Sequence, residues 1–522
     1  MNLPKVKTIL LAAVFALGTA VTTLAQQQDP AISDKARQFY DQAGSLITSR
    51  KFDQAAAVLL KAIDKEPRYA EAHFRLANVY ELIAQVERTP EYRQKIRDHY
   101  QKSVELKPGH PPFMAAYGIL GQSYLGAGDY ENAKRSFEQF LALKPVKAAQ
   151  VQYAQRMIAN CEFALKAKAE PLPFKAVPMS PTVNRFALQY FPALTADQQT
   201  LIFTARATAD LKSDENLYVS TKKAEDWSEP VPLSDRINTA ANEGTCSISA
   251  DGRTLVFTSC EGRQNFGKCD LFVSYKVGDE WTEPVNLGNK VNSPAWESQP
   301  ALTADGRTLF FVSDRRGSYG RRDIWKSLLG EDGYWGVPEN LGASVNTAGD
   351  DLSPFIHANS RTLYFSSEGH VGMGGFDLFS TEYRSGQWTF PKNLGYPLNN
   401  HNDQVSLFVT ADGKKGYYAH EEKDGRLFNS QLYEFDVPEQ IAVTESSDYL
   451  KGRVYDAKTK KPLGSKIEIY NVKSGGREAL ISSDRLSGDY LAVLTEGTEY
   501  GLYVNKEGYL FKSLYFNYDG GQ

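Results

Sequence analysis

Residues 292–341 read NSPAWESQPALTADGRTLFFVSDRRGSYGRRDIWKSLLGEDGYWGVPENL. An asparagine opens the stretch, directly after the apolar Val291. An apolar run then reaches the turn Thr303-Ala304-Asp305-Gly306, and Arg307-Thr308 lead into the apolar strand Leu309 to Val312. A polar loop precedes a short strand, Asp323-Ile324-Trp325, and the spacing Trp335-x-x-Pro338-x-x-Leu341 ends the stretch. An Asp-Gly turn between two apolar runs is a hairpin signal, and the whole stretch predicts four short strands.

The stretch is one of five. Asn184, Asn238, Asn292, Asn346 and Asn399 each open a unit, at spacings of 54, 54, 54 and 53 residues. The terminal spacing recurs as Trp227-Pro230-Leu233, Trp281-Pro284-Leu287 and Trp388-Pro391-Leu394. Repeated four-stranded units predict a β-propeller. The fifth unit reaches Gln431-Leu432-Tyr433 and Pro438 but lacks the tryptophan strand. A substitute lies upstream, where Phe174 to Met179 precedes Asn184 at the interval by which Leu233 precedes Asn238. A strand donated from the N-terminal side therefore closes a five-bladed ring over residues 172–440, leaving no open edge.

Working outward, residues 31–169 carry a second, helical repeat. Tyr117, Leu120, Gly121, Tyr124, Ala133, Phe137 and Pro145 hold the signature positions of one helical hairpin. Phe39, Ala43, Ala55, Leu59, Ala62 and Pro67 repeat them in an earlier one, and Leu76, Ala77, Tyr80, Tyr100 and Pro108 in another that carries an insertion. Small residues let paired helices approach, and a proline ends the second helix. These hairpins resemble tetratricopeptide repeats, and residues 147–168 read as a capping helix. On the other side of the propeller, residues 448–522 alternate apolar and polar positions, as in Lys466-Ile467-Glu468-Ile469-Tyr470, and predict a small β-sandwich, incomplete at Gln522 if a last strand follows. The fold class is thus multidomain: an all-α array, a five-bladed all-β propeller and a small β-sandwich.

The N-terminus has the parts of a secretory signal over residues 1–25: Lys5 and Lys7, an apolar run from Ile9 to Ala20, and small residues at Thr23 and Ala25. The run is short for a membrane span, so the mature chain is expected outside the cytoplasm, in the periplasm, and not itself membrane-spanning. Losing Lys5 and Lys7 takes the basic count from 59 to 57 against 63 acids, so the net charge moves from -4 to near -6. That balance gives no reason to expect nucleic acid as a partner. Export permits disulfides, and Cys260 and Cys269, flanking one hairpin loop, are the candidate pair.

The blades resemble the WD40-like repeats of TolB-type periplasmic proteins. Gly452-Arg453-Val454 and Lys461-Pro462-Leu463 resemble a carboxypeptidase-regulatory-like domain. The domain order is similar to a group of OmpA-family envelope proteins, one branch of which is tied to type IX secretion. The resemblance implies a non-catalytic periplasmic scaffold, associated with the outer membrane through its partners, which would be envelope or secretion-system proteins. Nothing after Tyr449 resembles the OmpA C-terminal domain, so peptidoglycan binding is not carried over.

Two surfaces stand out as sites. The inner lining of the helical array would present Arg37, Tyr40, Glu71, Phe74, Asn78, Glu81 and Gln122 to a peptide or partner helix. Five residues after their opening asparagines stand Gln189, Glu243, Glu297 and Asp351, and four after Asn399 stands Asp403. This acidic ring on the propeller face could hold a cation or basic peptide; the plainer alternative is that each side chain caps backbone amides of a loop. Asp270, Asp323 and Asp377 read as turn formers, and four arginines between Arg315 and Arg322 read as a solvated loop, with contact to phosphate or carboxylate as the alternative. The glycines from Gly369 to Gly375 precede no helix and do not form a phosphate loop. No Gly-x-Ser-x-Gly or His-Glu-x-x-His sequence occurs, no histidines have metal-ligand spacing, and no cofactor is implied. Paired carboxylates keep a carbohydrate-binding or carbohydrate-processing propeller as the alternative function.

Overall fold

The computed structural model describes residues 32–87, 91–208, 213–224, 226–424 and 427–518; the leader expected over residues 1–25 lies outside them. The chain divides into two compact units, residues 1–108 and 109–522. The first holds four helices: α1 (Asp34–Thr48), α2 (Phe52–Lys65), α3 (Ala70–Glu87) and α4 (Glu91–Leu106). Ser33 caps α1 by accepting from the Ala36 amide at 3.4 Å. Glu66, held extended ahead of Pro67, stops α2. Ala36, Ala43, Ala55 and Ala62 are fully buried, which lets α1, α2 and α3 pack closely.

The second unit begins with α5 (Met114–Gly126), α6 (Tyr130–Ala142) and α7 (Ala148–Ala169). A Cβ on Gly121 would stand 2.8 Å from the Phe137 ring, so this crossing of α5 and α6 requires glycine. Asp129 caps α6 through the Asn132 amide at 3.2 Å. The third helical hairpin therefore folds with the β region rather than with the first two.

The β region after α7 consists of several antiparallel sheets. Each repeat unit supplies an inner, a middle and a third strand: Glu297–Leu302, Thr308–Ser313 and Asp323–Leu328 in the unit quoted above, with the short Glu339–Asn340 outside. The tryptophan segments do not form one continuous outer strand. In the second unit Glu280–Trp281 and Val285–Asn286 pair separately with Asp270–Val277, because Pro284 lies between them and lacks a ladder donor. The fifth unit has only Phe408–Val409, Lys415–Asp424 and Leu427–Asp436, and the upstream Ala176–Pro178 pairs antiparallel with the last of these, Val177 opposite Glu434. Leu188 and Ser430 pair in parallel, so the first and fifth units share one nine-stranded sheet.

The opening asparagines explain how the units join. In each, the side-chain amide binds both backbone groups of one third-strand residue, as a neighbouring strand would. Asn292 accepts from Leu271 N at 2.8 Å and donates to Leu271 O at 2.9 Å. Asn346 does the same to Ile324, Asn399 to Leu378 and Asn238 to Leu217. Asn184 reaches across 248 residues to Leu432, with both bonds at 2.9 Å. Aspartate lacks the donor and leucine lacks both groups, so the position demands an amide.

The C-terminal region has two sheets. Ser447–Arg453 pairs with Asp489–Thr495, and the other sheet runs Arg477–Ser482, Lys466–Asn471, Thr498–Asn505, Lys512–Tyr518. Ile467, Ile469, Ala492, Tyr500 and Leu502 form the core between them.

Asn292→Ala would strand the Leu271 amide in the interior, where Asn292 is fully buried, while the Leu271 carbonyl keeps the bond from Leu287 N at 3.0 Å. Stability should fall by about 1–3 kcal/mol in urea unfolding, the cost of leaving one such group unpaired. A loss under about 0.5 kcal/mol, typical of neutral surface changes, would show that the amide clamp is dispensable.

Candidate functional site

In the first unit, Glu71, Phe74, Asn78 and Glu81 follow one another along a single stripe of α3, at the three- and four-residue steps that bring side chains onto one helix face. Much of this stripe is engaged by α4. Lys107 pairs with Glu71 at 2.9 Å, and the Phe74 ring lies 5.6 Å from that of Tyr100. The Tyr100 hydroxyl lies 2.5 Å from Asn78 Oδ1 and 2.9 Å from Glu81 Oε2. Burial raises Glu81 above the usual carboxylate range and also raises the Tyr100 hydroxyl. On α1, Tyr40 is covered by the Arg75 guanidinium at 3.6 Å, with Arg75 Nη1 donating to Tyr40 O at 3.1 Å, and Arg37 is exposed. Gln122 belongs to the second unit, where its amide donates to the Tyr153 hydroxyl of α7 at 3.2 Å.

The carboxylates of the expected ring are turned toward backbone. Glu243 accepts from the amide and hydroxyl of Thr239, both at 2.8 Å, and Glu297 from those of Ser293 at 2.8 and 2.6 Å. Asp351 accepts from those of Thr347 at 2.5 and 3.0 Å. All three are fully buried, and Arg315 lies 3.0 Å from Glu297. Asp403 corrects the sequence assignment. The fifth equivalent is Gln404, five residues after Asn399, which accepts from the Asn400 amide at 3.1 Å, whereas Asp403 accepts from Phe376 N at 3.0 Å. The set is thus Gln189, Glu243, Glu297, Asp351 and Gln404, and the two amides do the same capping: Gln189 accepts from Phe186 N at 2.9 Å.

Other singled-out residues also serve the loops. Asp270, Asp323 and Asp377 each collect two amides of the preceding loop. Arg315 donates to Val291 O, while Arg321 and Arg322 pair with Asp350 at 3.0 and 2.9 Å. The glycine loop lies against α7, with Gly372 N donating to Asn160 Oδ1 at 3.2 Å. Cys260 and Cys269 are joined in a disulfide, and Cys161 and Cys246 are buried free thiols.

The inner strands of all five units line one apolar cavity of about 80 Å³, which includes Phe191, Cys246, Pro300, Pro354 and Phe408. At one end the turn alanines Ala196, Ala250, Ala304, Ala358 and Ala411 gather around Leu491 and Val493 of the C-terminal region. That seat is fastened by Ser447 N donating to Ala411 O at 2.8 Å, by Lys451 with Asp197 at 2.6 Å, and by Arg253 with the buried Asp484. The sequence pattern marked the alanines only as turn residues; their apolar partner comes from some 80–300 residues away, so periodicity held no sign of it.

A histidine pair was likewise invisible in the sequence. His73 Nδ1 and His99 Nδ1 lie 2.9 Å apart between α3 and α4, and His73 Nε2 lies 3.2 Å from Pro67 O. Burial lowers both, His99 to about 4; Lys102 adds to the effect on His73, and Asp98 opposes it on His99. The fold therefore favours neutral rings: the stabilisation is full above the unfolded value near 6.5 and is lost as pH falls toward 4. The melting temperature of the helical region should drop between pH 7 and pH 4, and His99→Phe should flatten that dependence. An unchanged slope in the variant would remove the pair as its cause.

Comparison with known proteins bears on the helical hairpins. Residues 40–85 and residues 115–147 each match a tetratricopeptide repeat family. Among curated proteins no significant sequence match is found. Similar solved structures include the first TPR of Spaghetti bound to an HSP90 peptide (18% identity, 24% of this chain, 91% of that chain, TM-score 0.20). Another is MamA (25% identity, 21% of this chain, TM-score 0.18), of which the match spans 58%. The α-L-arabinofuranosidase of Podospora anserina is a further one, at 10% identity (50% of this chain, 96% of that chain, TM-score 0.34). What these comparisons establish is an N-terminal array of tetratricopeptide repeats, an architecture of protein–protein interaction, followed by a mostly β region.

Proposed function

We propose that this protein is a non-catalytic scaffold of the cell envelope, which holds partner proteins on its helical repeats and on a five-bladed propeller. The observation that carries the reading is the pair of tetratricopeptide matches, at residues 40–85 and 115–147. The propeller is supported by the five sequence repeats, by the cavity that all five inner strands line, and by Ala176–Pro178 completing the fifth unit. The capped state of Glu243, Glu297 and Asp351 supports a structural role for them over a catalytic one. A periplasmic location is supported by the signal-like residues 1–25 and by the Cys260–Cys269 disulfide. Among the described residues no helix is long and apolar enough to cross a membrane, so attachment to the outer membrane would run through partners. Envelope or secretion-system proteins fit that setting.

A photo-crosslinking residue at the exposed position 37 tests the reading in the cells that make the protein. A defined set of envelope proteins should be captured from the periplasmic fraction, and the mature chain should begin at Gln26. Capture no greater than that of an unrelated exported control would overturn the scaffold assignment.

A further inference from the structure

We propose that the cleft between the C-terminal region and the second and third repeat units docks an extended acidic peptide segment of a partner protein, which adds a strand to the open edge of Arg477–Ser482. This site is additional to the helical one and makes no use of it.

The edge follows from register. Arg477–Ser482 ends its sheet, with Lys466–Asn471 as its one neighbour. Ser483 N donates to Ser465 O at 3.0 Å, and Ile481 stands opposite Ile467 two positions along. Bonded and non-bonded pairs alternate in an antiparallel ladder, so Leu480 and Ser482 turn their N–H and C=O groups to the other side. Among the described residues those groups have no partner. Leu480 and Ser482 both line a cleft of about 460 Å³, whose opposite wall includes Tyr275, Lys276, Arg307 and Trp335. Unpaired strand edges of this kind accept extended chains through main-chain hydrogen bonds, with wall residues supplying the selectivity.

Charge decides the chemistry of the occupant. The acids in the cleft are already bound. Asp484 pairs with Arg253 and accepts from Gly278 N at 3.2 Å. Asp251 accepts from the Ser249 hydroxyl at 2.6 Å and from Arg253 N at 3.0 Å. Asp305 accepts from the Thr303 hydroxyl at 2.7 Å and from Arg307 N at 3.1 Å. Lys276 and Arg485 form no ion pair among the described residues, whereas Arg307 is held by Leu329 O at 2.8 Å. The uncommitted charge is therefore positive, and carboxylates on the incoming strand complement it. Tyr275, 45% exposed, offers a flat apolar face beside it.

The test selects short random peptides displayed on phage against the full mature chain. Acidic, extended sequences should be enriched, and the synthetic form of the best should slow amide exchange at Leu480 and Ser482. Ser482→Pro, which removes an outward N–H, should weaken binding about tenfold or more. The surface pair Lys276→Glu with Arg485→Glu should do the same, and it touches no core residue should the proline variant fold poorly. Binding that survives both changes, selection without acidic enrichment, or no selected peptide at all would overturn the proposal. Peptides lost only on Arg37→Glu would place binding on the helices, supporting the scaffold reading while removing this site.

Discussion

The five repeat units hang together on a side-chain amide imitating a strand. Each of the first four repeat units has three strands and then a broken outer segment, because proline interrupts the ladder there, and Ala176–Pro178 takes that place in the fifth. Beyond that segment the opening asparagine of the next unit carries the ladder one residue further, accepting from the amide and donating to the carbonyl of one third-strand residue. The sheet edge is thus satisfied by the chain that is leaving it, and the start of every unit is pinned to the sheet before it. A buried peptide group without a partner costs about 1–3 kcal/mol, so a clamp repeated in every unit is a large fraction of any domain's margin.

The same logic explains which parts of the sequence were legible. The asparagine spacing, the Asp-Gly turns and the tryptophan segments are local and periodic, and they located the strands and the donated Ala176–Pro178. The helical hairpins were readable because small residues and prolines recur at fixed steps. What escaped was anything that joins distant parts. The docking of Leu491 among the turn alanines, the meeting of His73 with His99, and the grip of Asn160 on Gly372 N have no periodic signature. Asp403 was misassigned for another reason: Gln404 keeps the five-residue interval of the other units, but an acid beside it drew the assignment away.

Buried carboxylates in a repeat protein invite a catalytic reading, and here their surroundings argue for another role. Glu243, Glu297 and Asp351 each accept from the amide and hydroxyl of a residue four positions earlier. Glutamine serves as well in the first and fifth units, where no charge is needed. The surfaces we propose for binding lie instead where the fold leaves groups unspent: the exposed part of the helical array, and the edge strand of the C-terminal region.

The pairing of Ala176–Pro178 with a strand 250 or so residues later has a consequence for biosynthesis. The segment that completes the last unit is among the first of its domain to leave the ribosome. At about 5–20 residues per second, its partner follows only after tens of seconds. Until then both ends of the first sheet stand open, and contacts of such sequence separation are slow to form. The sheet that the first and fifth units share therefore cannot be completed until the final repeat has arrived.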